Sequence, residues 1–185
     1  MRQEAERQGG EAGIDIEFVI NVADADPARQ ASNIEDLITA GVGIIVARAE
    51  DAGAIGASIR AARAADVPFI TFDRAAKSVT PTAHVGGDTY DQAVTTAVAF
   101  ADLMAERGIE GQCIELQGAL TDINAVNRSS GWNDIDGQRD EISTLVQVPT
   151  EWNPELFRSG MANALRANPD ANCAFIASDF AITAV

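Results

Sequence analysis

The residues best placed to do chemistry are Asp73 and Arg74, an acid and a base directly after the apolar run Pro68-Phe69-Ile70-Thr71-Phe72. Such a run reads as a buried strand, so the pair stands at a strand's carboxyl end. In open parallel sheets the side chains leaving the strands converge at those ends, and helix N-termini point the same way, so ligands bind there. The arrangement recurs along the chain. Residues 44–47 read as a strand that delivers Arg48, Glu50 and Asp51, residues 142–148 as one that exits at Thr150, Glu151 and Trp152, and residues 174–177 as one that exits at Ser178 and Asp179. Arg128 falls on a helix read over residues 124–137, where an exposed arginine is ordinary and a ligand contact is the alternative. For Asp73 with Arg74 the alternative to ligand binding is a surface ion pair, and for Trp152 it is cover for the edge of a lobe.

Catalytic machinery is not visible. His84 is the single histidine, it sits in a short strand with no acid-base partner, and it reads as structural. No G-x-G-x-x-G follows a strand, and neither a phosphate-binding G-x-x-x-x-G-K-[ST] nor a G-x-S-x-G turn occurs. Asp88 reads as a helix N-cap ahead of Thr89 rather than as a ligand group. Cys113 and Cys173 lie in apolar runs without metal-type spacing and read as small buried hydrophobes; both start strands, so a disulfide between them stays open. No cofactor or metal is expected.

With 28 acids against 13 bases the formal charge is −15 over 185 residues, and 46% of residues are apolar. That balance disfavours nucleic-acid backbones, which bind through Lys and Arg, and anionic membrane surfaces, and it suits a solvated acidic surface. No apolar run reaches the ~18 residues of a membrane span. Residues 1–13 are charged and lack the apolar core of a signal peptide.

The elements that must position these side chains alternate. Residues 1–11 read as a helix closed by glycines, and residues 14–22 as a strand alternating Ile14, Ile16, Phe18 and Ile20. Asp26 and Pro27 open a helix with Ala31, Ile34, Leu37 and Ile38 on one face. The strand at 44–47 is followed by a helix over 51–66, the strand at 69–72, a short strand at 84–87, and a long helix with an apolar stripe of Val94, Ala97, Val98, Ala101 and Met104. A second series runs through strands at 113–116, 142–148 and 174–177, with helices over 124–137 and from Asn153-Pro154, the latter burying Phe157, Met161, Ala164 and Leu165. The strand starts are spaced by about one strand plus one crossover helix, which predicts α/β architecture with parallel sheets. The wider gap between 69 and 113 marks a change of lobe, giving an N-terminal lobe over 1–90 and a C-terminal lobe over 91–185.

The order of these motifs resembles the type I periplasmic binding proteins, in particular the ribose-binding and related sugar-binding components of ABC transporters. The pieces that carry the resemblance are Ile44-Ile45-Val46-Ala47-Arg48, Pro68 to Arg74, Val85-Gly86-Gly87-Asp88, Ile114-Glu115-Leu116-Gln117-Gly118, Asn127-Arg128-Ser129-Ser130-Gly131-Trp132 and Phe175-Ile176-Ala177-Ser178-Asp179. It implies two flavodoxin-like α/β lobes that close on a monosaccharide without catalysis, delivery to the membrane subunits of an ABC transporter, a periplasmic location, and a monomer when full length. Position by position it implies that Asp73 and Arg74 grip ring and hydroxyl oxygens, that Arg128 donates from the second lobe, that Trp152 lies against the sugar face, and that Ser178 stands where an Asn is usual. Arg48 stands where an Asn is common and points to a ligand with an anionic substituent. The resemblance also implies a strand ahead of the first helix and further units after Val185, so that the chain is incomplete at both ends and holds sugar poorly alone. Two other readings share the architecture: the effector-sensing domain of a lactose-repressor-type regulator, which needs a helix-turn-helix segment upstream, and a nucleotide-dependent α/β enzyme, which lacks its motifs here.

Overall fold

The structure, a computed structural model, describes residues 2–183. Its elements are α1 (Arg2–Ala12), α2 (Pro27–Thr39), β1 (Ile45–Ala47), α3 (Ile55–Ala64), β2 (Phe69–Phe72), β3 (Ala83–Val85), α4 (Thr89–Arg107), β4 (Gly111–Gln117), α5 (Ile123–Asp136), β5 (Ile142–Pro149), α6 (Pro154–Ala167) and β6 (Cys173–Ile176), then a 3-10 turn over Asp179–Thr183. Met1, assigned to the first helix from sequence, lies outside the described residues. The strands form two parallel three-stranded sheets, ordered β1-β2-β3 and β5-β4-β6. The expected α/β architecture is therefore present.

Local chemistry explains where the helices begin. Asp26, Asp88, Asp122 and Asn153 each sit in extended backbone and accept one or two N–H groups of the first turn of α2, α4, α5 and α6, satisfying donors that no helical carbonyl can reach. Asp88 is thus the N-cap its sequence position suggests. Asp51 accepts from the N–H groups of Gly53 and Ala54, and α3 starts only at Ile55, four residues later than the sequence pattern implies.

In the first sheet, Ile45 and Phe69 pack with Ile34 of α2 and Ile55, Ile59 and Ala62 of α3. In the second, β4 alternates between two cores. Cys113 faces Ala97, Ala101, Trp132 and Phe175, while Ile114 and Leu116 face Phe157 and Ala164 of α6. The Trp132 ring stacks on Phe175 at 4.5 Å, and its Nε1 donates to Thr144 Oγ1 at 2.8 Å. On the α5 side of β4 the buried Glu115 accepts from Asn133 and Gln147, both at 2.9 Å, and Gln117 donates to Ser129 at 2.8 Å.

Three expectations are corrected. Residues 14–22 carry no regular secondary structure and belong to no ladder. Alternating side chains describe a pleat, but a strand exists only through a neighbour that pairs with it, and none lies beside this segment among the described residues. Instead it folds back on α1, with Ile16 against Gly9 and Phe18 under the Arg2 guanidinium. Cys113 and Cys173 are not free thiols but a disulfide, because they are register partners on adjacent strands with Cα atoms 4.4 Å apart. Leu165 is 47% exposed; the inner face of α6 is carried by Phe157, Gly160 and Ala164.

Candidate ligand-binding cleft

The carboxyl ends of β1, β2, β4 and β5 bring one polar cluster together across the two sheets. Backbone joins the halves first: the Ala52 N–H, in the loop after β1, donates to the Thr121 carbonyl after β4 at 3.2 Å. Side chains continue the seam. Arg48 Nε donates to Asp73 Oδ2 at 2.7 Å, and Asn124 Nδ2, in the first turn of α5, donates to the Asp73 carboxylate and carbonyl, both at 3.1 Å. Asp73 has φ of 61°, a left-handed conformation that Asp tolerates better than most residues, and it turns the chain sharply as it leaves β2.

Arg74 points inward and is only 6% exposed. Its Nη1 donates to the Ala49 carbonyl at 3.2 Å and lies 3.7 Å from Glu50, and its Nε lies 2.7 Å from Asp122 Oδ2, a charge contact whose angle is poor for a hydrogen bond. Burial pulls the Arg74 pKa below the ordinary guanidinium value; Asp122 opposes that pull, Arg48 adds to it, and Glu50 and Asp73 oppose it further. A buried cation is tolerated only when paired in this way.

Trp152 closes the cluster from the exit of β5. Its Nε1 donates to the same Asp122 Oδ2 at 3.0 Å, and its ring neighbours Phe157 and Phe180. Glu151 and Trp152 both adopt positive φ, 52° and 57°, rare and costly for side chains of this size. That reversal lays the indole flat on Gly118, where any Cβ would overlap the ring.

With this geometry in place, residues 1–185 match the periplasmic binding protein domain family along their whole length. The chain belongs to that family. Among curated relatives of this periplasmic binding protein domain is the ribose import binding protein of Escherichia coli (strain K12), 26% identical over 180 residues that make up 97% of this chain and 58% of that protein. The D-apiose import binding protein of Actinobacillus succinogenes is 32% identical over 114 residues, 61% of this chain and 36% of that one. Of solved structures, an ABC transporter solute binding protein from Bacillus halodurans C-125 with bound myo-inositol superposes with a TM-score of 0.87 at 20% identity, over 98% of this chain and 63% of that chain. The domain therefore has the type I periplasmic binding protein fold. It spans 58% of the length of the first ribose-binding relative.

Of the residues singled out from sequence, Arg48, Asp73, Arg74 and Trp152 share this cluster. Arg128 and Ser178 line a different depression of ≈ 290 Å³, together with Gln92, Thr96 and Asp179. Arg128 is half-buried there with no ion-pair or hydrogen-bond partner among the described residues. Sequence reasoning missed Asp122 and Asn124. The available signal was an Asp two residues ahead of Asn124 at a helix start, which identifies a cap but not the tertiary use of its second oxygen. His84 Nδ1 lies 2.9 Å from Thr71 Oγ1 on the neighbouring strand.

Proposed function

We propose that this domain belongs to a monosaccharide- or polyol-binding protein that delivers its ligand to the membrane subunits of an ABC importer, holding it without transforming it. The observation that carries the reading is the meeting of an acid, guanidinium groups, an amide and an indole at the carboxyl ends of strands from two sheets. A sugar presents hydroxyls that each donate and accept, and charged partners meet them with bonds of about 1.5–3 kcal/mol each, while an indole suits the apolar face of the ring. The exposed Arg48 and Asp73, the remaining N–H groups of Arg74, and Trp152 would contact the ligand, with Arg128 and Ser178 extending the site. The sheets formed by residues 45–85 and 111–176 are read as the cores of lobes 1–90 and 91–185. The names of two relatives, which state import of ribose and of D-apiose, support this substrate class.

The ion pair between Arg48 and Asp73 favours a neutral group of the ligand at that end of the site. The Arg48 charge is already taken, so an anionic substituent finds no free cation there, contrary to what Arg48 suggests in sequence alone. The Cys113–Cys173 disulfide suits the oxidising periplasm. Calorimetric titration with D-ribose, D-arabinose, D-fructose, myo-inositol and D-glucuronate tests the reading. Saturable binding of at least one neutral compound, lost in Asp73→Asn, is expected. Heat from none of the neutral compounds, or tighter binding of the glucuronate, would count against it.

A further inference from the structure

We infer that Asp122 is the positioning residue of this cleft: one buried carboxylate sets the orientation of both the Arg74 guanidinium and the Trp152 indole. Asp122 is 3% exposed, and its two oxygens do different work. Oδ1 caps α5 by accepting the Asn124 N–H at 2.9 Å. Oδ2 faces the other way, 2.7 Å from Arg74 Nε and 3.0 Å from Trp152 Nε1.

The geometry makes this more than a helix cap. Arg74 comes from the exit of β2 in the first sheet and Trp152 from the exit of β5 in the second, so a single oxygen meets side chains from both halves of the chain, by a charge contact to Arg74 and a hydrogen bond from Trp152. Asp122 itself is anchored at the start of α5, a rigid element, and Asn124 two residues on holds Asp73. The acid and base of the β2 exit are thus both registered against one helix terminus. Trp152 has an indole N–H that needs an acceptor when covered, and Asp122 satisfies it while Gly118 leaves room for the ring. With Oδ2 in place the indole presents its face at a fixed angle and Arg74 directs its remaining donors; without it both lose their shared restraint. Pre-setting such groups lowers the ordering cost of binding.

This rests on the sugar-binding reading for its consequence but not for its geometry, and the test separates the two. Asp122→Ser keeps an oxygen that can cap α5 and removes the one facing Arg74 and Trp152; Asp122→Asn keeps a cap and a polar group but removes the charge. In ¹H–¹⁵N spectra the Trp152 indole N–H, assigned with Trp152→Phe, is expected to shift in Asp122→Ser, while the Trp132 indole, bonded to Thr144, stays in place. Asp122→Asn is expected to give a smaller shift of the same resonance. Titrated with D-ribose, or with whichever neutral compound of the panel the wild type binds, Asp122→Ser should bind about 10- to 100-fold more weakly. If the wild type binds none of them, the indole shift alone carries the inference. An unmoved Trp152 resonance in Asp122→Ser overturns it, as does unchanged affinity in that variant; should Asp122→Ser not fold, an unmoved resonance in Asp122→Asn does the same.

Discussion

The sheet β5-β4-β6 has helices against both faces, whereas β1-β2-β3 is covered by α2 and α3 on one face and leaves apolar side chains of the other in solvent. The contrast shows along single strands. β4 is buried at nearly every position, while Val46 of β1 is 52% exposed and Val85 of β3 66% exposed. The second half also carries the disulfide and the stacked pair Trp132–Phe175. Because stability follows buried apolar area and constraints on the unfolded chain, the C-terminal half is the firm platform. The cleft residues of the first half are held largely by the seam to it, through Asp122, Asn124 and Thr121.

The sharpest way to break that comparison is to hollow out the firm half. Trp132→Ala removes a ring that is 2% exposed together with its bond to Thr144, and should cost about 3–5 kcal/mol by denaturant unfolding. Next comes the disulfide, which closes a loop of 60 residues. Replacing both cysteines by Ala, or reducing the bond, should cost about 2–5 kcal/mol and raise hydrogen exchange in β4 and β6 before β1 and β2. The same type of substitution should be nearly silent in the first half: Val46→Ser, on the open face, is expected to change stability by no more than about 0.5 kcal/mol.

The smallest effect concerns pH. Arg139 bonds Glu141 at 2.9 Å and Asp102 at 2.8 Å at the surface, and the hydrogen bond from Arg139 holds the Glu141 carboxyl below its ordinary pKa. A depressed carboxylate pKa contributes stability above the unfolded value and loses it as pH falls through the folded one. The melting temperature of Glu141→Gln should therefore fall slightly below wild type at neutral pH and converge with it in acid, and added salt should shrink the difference.

Much of the fold was legible because its signals are local. Apolar runs marked β2, β4, β5 and β6, and short polar side chains marked the starts of α2, α4 and α6, since a cap is a contact between residues two or three apart. What was not legible depends on partners distant in sequence. The alternation of residues 14–22 says which side chains share a face, not whether another strand lies alongside. Cys113 and Cys173 are bonded because of strand register, and their flanking residues look the same in a reduced core. For the cleft, the strand exits identified Asp73, Arg74 and Trp152 as a group, but the carboxylate that links them sits in the loop before α5, where nothing in its neighbours distinguishes it from an ordinary cap.

We propose that a neutral sugar sits at the cluster around Trp152. Trp132→Phe leaves Trp152 as the sole indole, so its emission during titration with D-ribose, D-arabinose, D-fructose and myo-inositol reports the cleft alone. A saturable change matching the calorimetric affinity is the expected result; binding heat without any change in Trp152 emission would put the ligand elsewhere and overturn this placement.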